Sequence, residues 1–214
     1  MRLQGRQAGP QRDRPTGSLD SYHGWVVLGP DDALPARPRR VLVAGTSGSG
    51  KTTLAATVGE VLGLPHVEID ALFHGPGWTP RASFIADVDA FTRQDRWVTE
   101  WQYSAVRDLL ADRADLLVWL DLPRVRVMRQ VIRRTLRRRV RRQPLWNGNL
   151  EPALWTVLRD PDHIVRWAWR THAQSAERIG ALQERRPDLP IVRLTGHHET
   201  RSWIHNLRAA APDR

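Results

Sequence analysis

Eight consecutive residues, Gly45, Thr46, Ser47, Gly48, Ser49, Gly50, Lys51 and Thr52, carry the most specific chemical pattern in the chain. They read G-x-x-x-x-G-K-T, a spacing suited to cradling the phosphates of a nucleoside triphosphate. Glycines let the backbone turn through positive φ and bring its N–H groups close around phosphate oxygens. A helix opening near Lys51 adds an N-terminal dipole that favours anions. The Lys51 ammonium would then lie between the β- and γ-phosphates, and the Thr52 hydroxyl would ligate Mg²⁺. The expected cofactors are ATP and Mg²⁺.

Residue usage sharpens this reading. Lys51 is the only lysine, and the other 32 basic residues are arginine. A compact ammonium therefore stands at the one position whose chemistry asks for it. The same fact excludes GTPases that read guanine through N-K-x-D, because no second lysine exists to build that motif.

A nucleotide site becomes a transfer site only with acids for metal or acceptor and with positive charge over the moving phosphoryl group. Glu68 and Asp70 close an apolar stretch beginning at His66, which puts both carboxylates at the edge of a sheet where ligands bind. Asp70 is expected to act as base or orienting group for an acceptor; its alternative is to cap the following turn. Glu68 is expected to hold Mg²⁺ through water. Glu100 ends the next strand, where a metal-facing acid is often kept. Asp121, two residues before Pro123, reads as a helix N-cap.

The positive charge lies in one block. The net charge is +10, and positions 124–142 hold ten arginines and no acid. Spacings of three and four set Arg134, Arg137, Arg138 and Arg141 on one side of a helix, with Val127, Val131 and Leu136 as anchors on others. Arg134 and Arg138 are the candidates to close over ATP and shield it from water. The competing partner for the block is a nucleic-acid backbone, and the blandest reading is a solvated helix face. His197, His198 and His205 lack an acid at ligand spacing and are not read as a metal site.

Short apolar runs alternating with helical patterns must position these groups. Strands are expected at 41–44, 66–70, Trp97–Glu100, Leu116–Leu120 and Ile191–Leu194, with 25–28 as a further short one. Helices are expected from Lys51 to the stop at Gly63, from Thr79 and Pro80 onward, over Ser104–Arg113, through the arginine block, at 150–159 and 161–185, and from Glu199. Alternation of this kind gives parallel βαβ units and a three-layer α/β/α fold. Residues 1–38 read as a disordered extension and linker, and 39–210 as one domain with a lid at about 124–150. Trp97, Trp119, Trp155, Trp167 and Trp169 read as packing residues. No apolar run approaches bilayer length and no signal-peptide pattern opens the chain, so a cytoplasmic protein is expected.

Over about 39–207 the chain resembles the adenylate-kinase-like P-loop proteins known as topology modulation proteins. The resemblance is carried by GTSGSGKTTLA from Gly45, the E-I-D-A-L-F…P-G-W run at 68–78, W-V-T-E-W-Q-Y at 97–103, A-D-L-L-V-W-L-D-L-P at 114–123, and the R-R-T-L-R-R-R and L-W-N-G-N segments. It implies a nucleoside-monophosphate-kinase-like core with parallel strand order 2-3-1-4-5 and an arginine-bearing lid. It also implies that Gly45 through Thr53 hold the triphosphate, that Asp70 faces a small-molecule acceptor, and that Arg134 is a lid arginine. The implied activity is transfer of the γ-phosphoryl group to a small molecule, nucleoside or nucleotide. Relatives commonly read D-G-N-Y where this chain has Glu100, Trp101, Gln102 and Tyr103. Trp101 is therefore expected to fill space beside the acceptor. Arg81 is the sole arginine between Lys51 and Arg93, which disfavours AMP as acceptor.

Overall fold

The computed structural model describes residues 27–140 and 173–210, with backbone alone at 135–140 and 173. The expected lid beyond 140, the helix at 150–159, Trp155, Trp167 and Trp169 lie outside the described residues.

Five parallel strands, β1 (Arg40–Gly45), β2 (His66–Val67), β3 (Trp97–Glu100), β4 (Leu116–Leu120) and β5 (Ile191–Leu194), form one sheet in the order β2-β3-β1-β4-β5. The two neighbours of the central strand β1 are β3 and β4, with Leu42 opposite Thr99 on one side and Leu117 on the other. Strands buried on both faces must be apolar throughout, and β1 and β4 are so along their buried lengths. Val41 and Val43 face one core together with Leu116 and Val118. Helices α1 (Lys51–Leu62) and α7 (His197–Ala209) cover it through Leu54, Val58, Leu62, Trp203 and Leu207.

Leu42 and Ala44 face the opposite core, together with Leu117 and Trp119. It is covered by α2 (Ile69–Phe73), α3 (Phe84–Thr92), α4 (Ser104–Arg113) and α6 (Ala173–Arg185). Trp97 and Trp119 are fully buried here, as packing residues. A third, small cluster joins Leu122 to Val127 and Val131, which anchor α5 (Arg124–Val140).

Four departures from the expected elements have local causes. The second strand stops at Val67 because the Glu100 carboxylate takes the Ile69 N–H at 3.1 Å, and the chain turns into α2 there. Asp70 thus lies in the first turn of a helix instead of ending a strand. Thr79 and Pro80 do not start α3. Their loop is closed on itself by a His74–Pro80 bridge, by Gly75 N–H donating to Thr79 O at 2.7 Å and by the Thr79 hydroxyl donating to Pro76 O at 2.7 Å, and α3 begins at Phe84. Asp121 is structural through an ion pair with Arg193 of β5, at 2.7 and 2.9 Å. Leu28 makes a single parallel bridge to Val192 at the sheet edge.

Candidate active site

The phosphate loop runs from the end of β1 into α1 at the centre of the sheet's C-terminal edge. Gly45, Gly48 and Gly50 adopt φ values of 150°, 81° and 98°, and the Ser49 N–H donates to Thr46 O at 3.0 Å. At Gly48 a side chain is barred by sterics as well as by φ: a Cβ there would stand 2.1 Å from Val131 Cγ2 of α5. Helix α5 thus rests directly on the loop. Thr46 and Ser49 are buried, Ser47 and Thr52 half-buried, and Thr53 exposed.

The loop fits a polyphosphate on its own terms. The N-cap of α1, Gly50, offers no side-chain acceptor, and no acid stands in the first turn, so the opening amides and their dipole are left to an anion. The Ser49 hydroxyl is buried without a partner among the described residues. Lys51 is 8% exposed and donates to Thr46 O at 3.2 Å. Burial pushes its ammonium below the ordinary value; Asp70 and then Glu100 oppose that shift, while Arg134 adds to it. Three expected site residues thus act on the charge of Lys51, Asp70 from α2, Glu100 from β3 and Arg134 from α5. Arg134 is half-buried; the side chain of Arg138, one turn further on, lies outside the description.

The acids divide in role. Glu100 is 1% exposed, with Oε2 accepting from the Ile69 amide and Oε1 paired with His66 Nε2 at 3.3 Å. Burial pushes its carboxyl up, but the His66 and Ile69 hydrogen bonds outweigh burial and hold it below the ordinary value. Both Glu100 oxygens are thereby engaged, one by α2 and one by His66. Glu68 stands half-buried at the N-cap of α2.

Asp70 is held by residues the motif reading did not single out. Its Oδ1 accepts from the Tyr103 hydroxyl at 2.6 Å and from Gln102 Nε2. His74 Nε2 lies 3.2 Å from the Tyr103 oxygen. Burial first, and the Asp70 charge second, raise the Tyr103 phenol far above its ordinary value. The available signal was positional: Gln102 and Tyr103 directly follow a strand at the sheet's C-terminal edge, where open α/β sheets bind ligands. Trp101, expected beside the acceptor, is a core residue. Its indole is 7% exposed, packs in the core under α4, and donates to Arg107 O at 3.0 Å. Arg81 pairs with Asp87 at 3.1 Å.

A parallel sheet in this order, with the phosphate loop between its central strand and α1 and helices on both faces, is the α/β fold of the P-loop kinases. No protein-family model matches the chain, and no curated protein is detectably similar to it. Among solved structures it is similar to a gluconokinase from Sinorhizobium meliloti 1021, at 23% identity and a TM-score of 0.37 over 67% of this chain and 97% of that one. It is also similar to a sugar kinase from Janibacter sp. HTCC2649, at 20% identity and 0.42 over 80% and 90%. A third similarity is to shikimate kinase from Acinetobacter baumannii, at 14% identity and 0.42 over 79% and 90%. Identities and TM-scores this low transfer neither substrate nor activity, which must be read from the residues of the site. Among the described residues, no helix is long and apolar enough to cross a membrane.

Proposed function

We propose that this protein is an ATP- and Mg²⁺-dependent phosphotransferase that moves the γ-phosphoryl group of ATP to a small-molecule acceptor. The observation that carries the proposal is the phosphate loop at the end of β1, with the buried Lys51 donating to Thr46 O at 3.2 Å inside it, α5 and its Arg134 resting on Gly48 through Val131, and the Asp70 carboxylate held by Tyr103 at 2.6 Å just beyond β2. A site for nucleotide binding alone needs Lys51 and the loop; a base candidate and a second cation beside them serve transfer. The unit concerned spans 39–210, and its motifs support a relationship to the topology modulation proteins and a cytoplasmic setting.

In this reading Gly45 through Thr53 wrap the triphosphate, and Lys51 holds charge against its β- and γ-phosphates. Thr52 supplies a metal ligand, with Glu68 holding metal-bound water. Mg²⁺, when bound, neutralises phosphate charge and orients the group to be transferred. Arg134, with Arg138 a turn beyond it, covers the nucleotide from α5 and excludes water. Asp70 orients the acceptor. The arginine block is assigned to the nucleotide, not to nucleic acid.

The test is incubation with γ-labelled ATP and Mg²⁺, following label in a panel of nucleosides, nucleotides and small polyols. Label should leave ATP in the wild type, and Lys51→Ala should lose ATP affinity at least about tenfold, near 1.4 kcal/mol. Turnover unchanged in Lys51→Ala would refute the site.

A further inference from the structure

We infer that the phosphoryl acceptor is an alcohol and not a phosphate, and that Gln102 and Tyr103 position Asp70 to receive the alcohol's proton; this rests on the phosphotransferase reading above. Asp70 Oδ1 is occupied twice, by the Tyr103 hydroxyl at 2.6 Å and by Gln102 Nε2, and both donors are uncharged. Spending both on one oxygen fixes the carboxylate's rotamer and leaves Oδ2 to face an incoming hydrogen. Tyr103 has one proton to give and gives it to Asp70. The His74 Nε2 at 3.2 Å is then assigned as donor to the phenol oxygen, so the chain of hydrogen bonds runs from His74 through Tyr103 to Asp70.

The backbone is bent to serve this arrangement. Tyr103 has φ 62° and ψ 111°, at a positive φ that a bulky residue rarely adopts. Such strain persists only where surrounding structure over-determines it, and it collects at functional sites. Here the ring is stacked on Phe73 at 4.1 Å and met edge-on by Phe84 at 5.3 Å, which pins the phenol over Asp70.

The acceptor's class follows from charge and protons. A phosphate monoester near neutral pH is mostly dianionic and has no proton that its attacking oxygen must lose. Beside an ionised carboxylate it would need cations to offset the repulsion. Among the described residues, the two side chains that hold Asp70 are neutral, and Arg81, the nearest arginine in sequence, is drawn to Asp87 at 3.1 Å and Ser83 at 3.3 Å. Lys51, the cation on which Asp70 acts, is committed to the ATP phosphates in the reading above. An alcohol has the opposite requirements, being neutral and having a proton to lose as it attacks. In the step, the alcohol O–H bond breaks and its proton passes to Asp70 Oδ2. The alcohol oxygen bonds to the γ-phosphorus, and the bond from that phosphorus to the β,γ-bridging oxygen breaks, its electron pair leaving on ADP. Asp70 then returns the proton to solvent.

The experiment uses the full chain with Mg²⁺ and γ-labelled ATP. Acceptors are offered in matched pairs, adenosine with AMP and D-ribose with D-ribose 5-phosphate, and with glycerol and water as the smallest hydroxyl acceptors. Any labelled organic product should be a phosphate ester, and inorganic phosphate as the sole product with every alcohol offered overturns the alcohol assignment. Asp70→Asn should lower turnover about a hundredfold or more, and Tyr103→Phe about tenfold to a hundredfold, with ATP affinity changed far less than turnover in both, as expected of groups acting mainly on transfer. A second readout is the double variant: the turnover loss of Tyr103→Phe should disappear in an Asp70→Asn background, and a loss of the same size in that background overturns the positioning role. Wild-type protein that binds ATP and turns none of it over overturns the phosphotransferase reading, and this one with it. Turnover that survives Asp70→Asn, or label on the phosphate oxygen of AMP as a diphosphate, overturns the alcohol assignment alone.

Discussion

Lys51 is placed against the interests of the ligand-free fold. Its ammonium is buried, has one hydrogen bond among the described residues, and is shifted toward neutrality by that burial. A buried ammonium whose desolvation outweighs the opposing charges of Asp70 and Glu100 costs stability that an apolar residue of similar length would not. Lys51→Met should therefore raise the melting temperature of the ligand-free protein and abolish the further rise on adding Mg²⁺-ATP, both read in one thermal-shift series. A lysine serving only the core would show the reverse, a fall in the ligand-free melting temperature. Trp101 poses the complementary case. Its indole is a core residue with its N–H satisfied by Arg107 O, so Trp101→Ala should cost about 3–5 kcal/mol in urea unfolding through the cavity it leaves. Widening of an acceptor site at unchanged stability would contradict its placement.

Among the elements, the contact between the phosphate loop and α5 couples nucleotide binding to the arginine helix. Gly48 has φ 81° and no room for a methyl group beside Val131, so Gly48→Ala should destabilise by about 1 kcal/mol or more. In a chain of this size that lowers the melting temperature by roughly 2–4 °C per kcal/mol. Val131→Ala removes the obstructing methyl, so the double variant should be less destabilised than the sum of the singles in a thermal or urea double-mutant cycle. Strict additivity would show that α5 does not bear on the loop. The Gly48 requirement was legible from the motif, whereas its steric half, supplied by a residue 83 positions away, was not. The same division holds for the elements. Strands β1, β3, β4 and β5, and helices α1 and α4, are written in apolar runs bounded by Gly, Pro or charge. The end of β2 and the start of α3 are decided by Glu100 reaching Ile69 and by the self-closed loop of 74–80, choices that no local pattern records. At the site, the motif residues were readable from type and spacing. The clamp on Asp70 was not, because it depends on the positive φ of Tyr103.

For the molecule as a whole, charge makes acid the sensitive direction. Glu100 has its carboxyl held below the ordinary value near 4.5 by His66 and Ile69 against the opposing effect of burial. Asp89, bonded by Arg113 and Arg93, and Asp188, bonded by Arg186, are held below theirs near 3.8. A carboxylate depressed in the folded state contributes stability that is present above its unfolded value and lost as pH falls through the folded one. The unfolded chain binds protons first, so stability should decline as pH drops below about 4.5, steepening toward and below 3.8. The net charge of +10 works in the same direction, since each neutralised acid leaves the arginines less opposed. Of the three carboxylates only Glu100 is buried, so its titration is the one tied to the core and to α2. Glu100→Gln removes that titration while keeping the shape of the side chain. Its urea midpoint should be lower than wild type at pH 7 and converge on wild type as pH falls through and below about 4.5, the two series being measured in parallel. Curves that stay separated by the same amount at every pH would show that Glu100 holds α2 by shape and hydrogen bonding alone, with no part for its charge.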